Sequence, residues 1–414
     1  MNVITRVLNG WKSINLMTRI LIGILIGSAL ALVCPGISWM PVLGTLFVGA
    51  LKAIAPILVA MLVAGSIAKA GTGLGKRFRL VITLYMVSTL VAAMLAVVAS
   101  DMFPLRLVLV GAAGVEGGAA PAGLSGVFNK MAQDLMSNPI RAVSDASYLS
   151  VLFWSVVIGL AMKMKASEKT VAVVQDLAAT VSLVVTWIIQ FAPFGIMGLV
   201  YASVSESGLD IFTTYGKLVL LLVGCMLTVS LVVNPLITGA LLRRNPYPLV
   251  WECLKGSAVS AFFTRSSAAN LPVNMSLCER MGLDKDFYSV SIPLGCTINM
   301  DGAAITITVM TLAACNTMGV EVSLVNAILL SIVATLGACG SSGVAGGSLL
   351  LIPMACSLFG ISNDVSMQVV AVGFIIGVVQ DSVETALNSS SDVLFIATAD
   401  LYERMKNKSQ HHGS

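Results

Sequence analysis

Histidine is missing from the body of this chain: its only two, His411 and His412, stand at the very end. A histidine general base and a histidine-held zinc ion are therefore excluded from everything that precedes them. Charge is nearly as scarce. Only 11% of the 414 residues are Asp, Glu, Lys or Arg, where soluble domains carry about 25%. The formal net charge of +4 is too slight for a nucleic-acid footprint. Cysteine occurs eight times but never as C-x-x-C, so neither a disulfide framework nor a thiolate zinc site is encoded. The thiols are expected to act as small buried hydrophobes. Gly71-Thr72-Gly73-Leu74-Gly75-Lys76-Arg77 has the look of a phosphate loop, but that pattern needs Gly at Ala70 and Ser or Thr at Arg77. It reads as a flexible basic loop, and no ATP-driven engine is encoded.

What remains is apolar. With 57% hydrophobic residues and a mean hydropathy of +0.94, the chain reads as an all-α polytopic membrane protein. Runs at 16–33, 42–67, 80–102, 148–162, 177–204 and 212–242 are expected to be full-length spans. The Gly/Ala-rich 111–121 is expected to be an external loop. Basic residues before 20–33 and the triplet Ala29-Leu30-Ala31 imitate a secretory signal, but the segment is read as the first span. Positive charge clusters at Arg6, Lys12 and Arg19, at Lys69 to Arg79, at Lys163 to Lys169, at Arg243 and Arg244, and at Arg404 to Lys408. The segments 35–40 and 206–210 carry none, which places both termini in the cytoplasm with an even number of spans.

Two stretches break this background. Asn299-Met300-Asp301-Gly302, and the run Asp381, Glu384, Thr385, Asn388 and Asp392, put carboxylates inside apolar segments. At 100° per residue, offsets of 0, 3, 4, 7 and 11 from Asp381 keep all five side chains on one helix face. An unpaired charge at the bilayer centre costs about 2.5–3.5 kcal/mol on insertion scales, so these groups are functional by default. Gly302 is expected to loosen the helix beside Asp301 and free backbone carbonyls. Those carbonyls and the carboxylate are hard oxygen ligands suited to an alkali cation.

After residue 249 the apolar stretches shorten. A run at 250–263 leads into Thr264-Arg265-Ser266-Ser267-Ala268-Ala269-Asn270 and then 271–277. The pattern returns as 327–336, the Gly/Ser-rich 337–347 with Ser341-Ser342-Gly343, and 348–358. Neither half of either pair crosses about 30 Å of hydrocarbon, so each pair is expected to be a re-entrant hairpin with its tip near mid-membrane. Free N–H groups at such a tip can bind an anion. Small-residue helix packing is the plainer reading of either tip alone. Each hairpin, however, precedes a polar-marked helix, and that repetition resembles the inverted repeat of secondary transporters. The hairpins then open to opposite sides.

Thr264-Arg265-Ser266-Ser267, Leu271-Pro272-Val273, Pro293-Leu294-Gly295, Asn299-Met300-Asp301-Gly302 and Asp381…Asn388…Asp392 together resemble the motifs of the dicarboxylate/amino acid:cation symporter family, the glutamate transporter homologues. The resemblance runs from about Leu16 to Arg404. It implies eight spans, two opposed hairpins, a homotrimer in lipid, and an elevator mechanism without a cofactor. The implied divisions are 1–79 (scaffold, spans one and two), 80–103 (span three, mobile), 104–208 (scaffold, spans four and five), 209–405 (transport domain) and 406–414 (cytoplasmic tail). It also implies that Asp381 holds a substrate ammonium, and that Asn388 with the backbone at Ser267 holds the α-carboxylate. Arg265, Ser266, Ser341, Ser342, Gly343 and Thr385 complete that pocket. One implied sodium site uses Gly295, Asn299, Asn388 and Asp392. A second lies near Thr297, Met300, Thr335 and Leu336, and a third joins Tyr85, Ser88, Thr89, Asn299 and Asp301.

Where members of the family carry acidic amino acids they have Arg at the position of Glu384 and Thr at that of Ala303, both facing the substrate side chain. A like-charge pair about 4 Å apart at an effective dielectric near 20 costs on the order of 4 kcal/mol, roughly a thousandfold in affinity. An acidic substrate should be rejected. Arg265 is available to neutralise Glu384 and leave an uncharged, hydrogen-bonding subsite. The expectation is sodium-coupled uptake of serine and threonine across a bacterial inner membrane, as in the bacterial serine/threonine:sodium symporters that this chain resembles. The alternatives are a sodium- or proton-coupled carrier of acidic amino acids or dicarboxylates, an anion channel, and an intramembrane enzyme. The last would need a base beside Ser267 or Ser342, and no histidine is there to supply it.

Overall fold

The computed structural model describes residues 14, 16–69, 76–109, 136–145, 147–339, 341 and 346–411. The proposed external loop at 111–121, most of the basic glycine loop, and Ser342 and Gly343 lie outside these residues. Among the described residues the fold is helical and holds no strand.

The chain runs through α1 (Leu16–Val33), α2 (Met40–Lys69), α3 (Lys76–Met102), the short α4 (Pro139–Ser144), α5 (Tyr148–Lys165), α6 (Glu168–Gln190) and α7 (Ala192–Ser207). Next come α8 (Ile211–Thr228) and α9 (Asn234–Leu242), joined by a π turn at Val229–Val233. α10 (Tyr247–Cys253) and α11 (Val259–Thr264) are likewise joined by a π turn, Leu254–Ala258. After α12 (Leu271–Arg280), α13 (Lys285–Ile298), α14 (Asp301–Met318) and α15 (Leu324–Ala338), a 3-10 turn at Ser348–Leu351 leads into α16 (Ile352–Ser357) and the 49-residue α17 (Asn363–His411). Local chemistry starts many of these helices. The side chains of Asn138, Ser167, Asp284 and Ser323 accept hydrogen bonds from free N–H groups of the first turns of α4, α6, α13 and α15.

Among the described residues, six helical segments are long and apolar enough to cross a membrane: Met40–Gly65, Arg77–Met102, Glu168–Gln190, Ile211–Leu242, Lys285–Met318 and Asn363–Asn407. The run 177–204, expected as one span, is two helices. It breaks at Phe191, because Pro193 has no N–H to continue the ladder and instead starts α7.

The helices pack in two sets. α1, α2, α5, α6 and α7 contact chiefly one another. α1 lies so close on α7 that a Cβ at Gly27 would stand 2.5 Å from the Met197 carbonyl oxygen. The second set gathers α3 and α8 to α16 around α17. Here the short pieces fold back in pairs. Gly256 admits Leu277 of α12 against the π turn, and Gly337 admits Met354 of α16 against α15. At one end Arg77 ties α3 to Asp284 (2.8 Å) and to Asp400 of α17 (2.7 Å). Burial is most complete where α17 meets α14, whose residues from Asp301 to Cys315 are all buried.

Candidate functional site

Three carboxylate centres lie along the face where α17 runs against α13 and α14. The pairing is antiparallel: Asp392 meets Asn299, Asn388 meets Gly302, and Glu384 meets Thr306. All five stripe residues are buried. The helix does break beside Asp301, but at a different residue from the one expected. Asn299 (φ −96°, ψ 85°) and Met300 (φ −127°, ψ 52°) leave the helical region, ending α13 and preceding α14. Gly302 lies inside the first turn of α14. Its role is close approach, since a Cβ there would stand 2.9 Å from Cα of Glu384. The break frees backbone oxygens at the end of α13, and the Ile298 oxygen accepts from the Cys339 thiol at 3.4 Å.

At the first centre, Asp301 is fully buried. Its Oδ2 accepts from Ser88 Oγ (2.7 Å) and Asn234 Nδ2 (2.9 Å), and its Oδ1 accepts from Thr89 Oγ1 (3.1 Å). Ser88, Thr89 and Asp301 are thus brought together as expected. Asn234 was not anticipated, although an amide beside Pro235 in an apolar run was the available signal.

The second centre is built on Asp392. Asn299 Nδ2 donates to Asp392 Oδ1 (2.9 Å), Ser391 Oγ (2.8 Å) and the Asn388 carbonyl (3.3 Å). Asn299 Oδ1 is buried with no hydrogen-bond partner. Gly295 leaves room for the carboxylate, because a Cβ would stand 2.7 Å from Asp392 Oδ1. The Tyr85 hydroxyl joins this centre, through the Asp392 and Ser291 carbonyls, and makes no bond to Asp301. Of the remaining expected ion ligands, the Thr297 and Thr335 hydroxyls bond to carbonyls of their own helices. Leu336 stays partly exposed.

The third centre holds two carboxylates. Asp381 Oδ2 is bound by Arg265 Nε at 2.7 Å, and its Oδ1 accepts from the Gly346 N–H at 3.1 Å. Arg265 therefore pairs with Asp381, which corrects the expectation that it neutralises Glu384. The reason is geometric: Arg265 ends α11 in the left-handed region (φ 52°), and its guanidinium also reaches the Gly377 carbonyl, one turn before Asp381. Glu384 is held by neutral donors, Thr306, Ser348 and Gln380. Ala303, Ser267 and Ser341 are buried, and the Thr385 hydroxyl is spent on the Asp381 carbonyl. Ser266 Oγ accepts from the Ala269 N–H in the turn between α11 and α12. Asn388 Oδ1 accepts from the Gly302 N–H (2.8 Å), while its Nδ2 has, among the described residues, only the Met300 sulfur at 3.4 Å.

Among the described residues no cationic side chain pairs with Asp301, Asp392 or Glu384. Buried carboxylates with neutral donors alone need a positive charge from elsewhere. The donor set around Asp392, with an unpartnered amide oxygen and backbone oxygens at a helix break, suits a monovalent hard cation.

Comparison with known proteins gives a consistent picture. Residues 16–400 match the family model of the sodium:dicarboxylate symporter family. The chain is 55% identical over 396 residues to the serine/threonine transporter SstT of Bifidobacterium adolescentis, covering 96% of this chain and 92% of that protein. It is 55% identical to the transporter of the same name in Streptococcus agalactiae and 53% identical to that of Streptococcus thermophilus, each over 395 residues, 95% of this chain and 98% of the relative.

Proposed function

The chain belongs to the sodium:dicarboxylate symporter family, and from that premise we propose that it carries serine and threonine into the cell together with sodium. It is a multi-pass membrane transporter and not an enzyme. The observation that carries the sodium reading is the pair of buried carboxylates, Asp301 and Asp392, which stand beside the helix break at Asn299 and Met300 and have no cationic side-chain partner among the described residues. Sodium would be held by Asp392, Asn299, Asn388 and the backbone at Gly295. A second ion would lie near Asp301 with Ser88 and Thr89, and a third by the backbone near Thr297, Met300, Thr335 and Leu336. The unpartnered Asn299 Oδ1 fits the first of these assignments.

Substrate would bind between the two tips. Asp381 takes the ammonium, which joins or replaces one of its present donors, Arg265 and Gly346. Asn388 Nδ2, whose one partner among the described residues is a thioether, is available to the α-carboxylate. Glu384 faces the side chain and repels acidic substrates. In our reading the two short-helix pairs are re-entrant hairpins of opposite sense, the chain has eight spans and forms a homotrimer in the bacterial inner membrane, and both termini are cytoplasmic. The set packed around α17 would be the moving body of an elevator, and α1, α2 and α5 to α7 the scaffold; the limited packing between the sets supports this.

The test is uptake of radiolabelled serine into proteoliposomes. An inward sodium gradient should drive accumulation, unlabelled serine and threonine should compete, and aspartate should not. Accumulation without sodium, or competition by aspartate equal to that by serine, refutes the proposal in its ion or its substrate part.

A further inference from the structure

Glu384 is held in an unusual way. One oxygen, Oε2, accepts from Thr306 Oγ1 (2.7 Å), Ser348 Oγ (2.9 Å) and Gln380 Nε2, and three separate elements supply them: α14, the 3-10 turn after the second tip, and the preceding turn of α17. Gln380 Nε2 also donates to Thr306 Oγ1 at 2.8 Å. That contact fixes the direction of the Thr306 hydroxyl: it receives from Gln380 and so must give its own proton to Glu384. With both Gln380 protons spent and two hydroxyls donating, Oε2 is fully engaged as an acceptor. Oε1 has no partner among the described residues.

We infer that Thr306, Gln380 and Ser348 are positioning residues that present Oε1 of Glu384 to a hydroxyl on the β-carbon of the substrate. The inference rests on the serine/threonine reading above and adds a specificity mechanism to it. Asp381 and Glu384 are three residues apart on one helix, so their Cβ atoms stand about 5–6 Å apart. The ammonium and the β-hydroxyl of serine sit on adjacent carbons and can meet these two carboxylates at once. A substrate with a methyl in place of the hydroxymethyl group, as in alanine, leaves Oε1 unsatisfied in a dry site, and one with a carboxylate brings two acceptors face to face. Rigidity matters here, because a carboxylate free to rotate would serve any donor nearby and select none.

The experiment measures binding of L-serine and L-alanine to the purified full-length protein in saturating sodium. In Thr306→Val the shape is kept and the donor lost. Serine affinity should fall about tenfold or more, the scale of a hydrogen bond to a charged group. Alanine affinity and the sodium dependence should stay within about twofold, and Thr306→Ser should restore the parent ratio. Ser348→Ala, whose hydroxyl lies outside the α14–α17 contact, reads the same donor set if Thr306→Val does not run as a monodisperse species. Equal losses for serine and alanine, or an unchanged ratio in both variants, overturn the inference alone. A parent protein that binds no serine overturns the transport reading, and this inference with it.

Discussion

The helix α6 and the pair α13–α14 are both apolar enough to cross a membrane, yet the less apolar of the two is the one inside. Over an 18-residue window, Glu168–Gln190 has a mean hydropathy of 1.8 with 17% of that window buried, whereas the window within Lys285–Met318 has 1.4 with 94% buried. In water the order would be reversed. In lipid the outward face is the apolar one, and polar groups are tolerated only where helices or ions satisfy them. Burial here marks the working region: α13 and α14 carry Asn299, Asp301 and Thr306, while α6 turns Leu177, Leu183 and Trp187 outward.

The sharpest way to break this comparison is to remove a charge from the inner region. Asp381→Asn leaves the substrate ammonium without its charged partner, a loss that commonly costs about 2–5 kcal/mol, or roughly 30- to several-thousand-fold in affinity. Serine binding should vanish while the protein still runs as a single species. Affinity within about threefold of the parent would remove Asp381 from the ammonium site.

Next in size is the change of substrate class. Glu384→Arg with Ala303→Thr removes the repulsion and adds a fork of donors matched to a carboxylate, so aspartate binding should appear at a gain of about a hundredfold and serine binding should weaken. Arg265 is engaged by Asp381, so the introduced guanidinium need not oppose an unpaired one. Competition assays on monodisperse material decide it. A variant that still prefers serine and ignores aspartate places Glu384 outside the side-chain subsite.

Asp392→Asn keeps a polar group beside Asn299 but removes the charge. The sodium concentration for half-maximal uptake should rise about tenfold, the scale of a charge-assisted contact, and an unchanged value would take Asp392 out of the ion ligands. On the outer helix the comparison predicts near silence. Trp187→Ala, at a side chain 59% exposed, should leave serine and sodium affinities within about twofold, as surface substitutions remain within about 0.5 kcal/mol.

A small effect is expected at the Arg77–Asp284 contact. Hydrogen bonding from Arg77 holds the Asp284 carboxyl below its ordinary pKa, against some desolvation, and the N–H groups of Phe287 and Asp286 add to the lowering. A depressed folded-state pKa contributes stability that is present above the ordinary carboxylate range and is lost as pH falls through the depressed value. Thermal melts of the parent should therefore lose slightly more on acidification below that range than those of Asp284→Asn. Identical acid slopes would show that the contact contributes nothing to stability.

Read alone, the amino-acid order determined a good deal. The apolar runs mark membrane helices because one residue advances a helix by a fixed 1.5 Å, and the offsets from Asp381 to Asp392 mark one face because the helix turns by a fixed angle. Both rules are local, and both were legible without a fold. The tertiary structure decided what those rules cannot reach. Arg265 binds Asp381 rather than Glu384, a contact across 116 residues settled by a left-handed backbone turn at the end of α11. Asn234, Thr306 and Ser348 join the carboxylates from α9, α14 and the turn before α16, and no spacing along one helix announces a partner on another. The break at Asn299 rather than at Gly302 has the same origin. Gly302 is required where α17 passes closest, and the unwound residues are those whose polar groups find partners on α17. Periodicity gives each helix its faces, but only packing decides which faces meet.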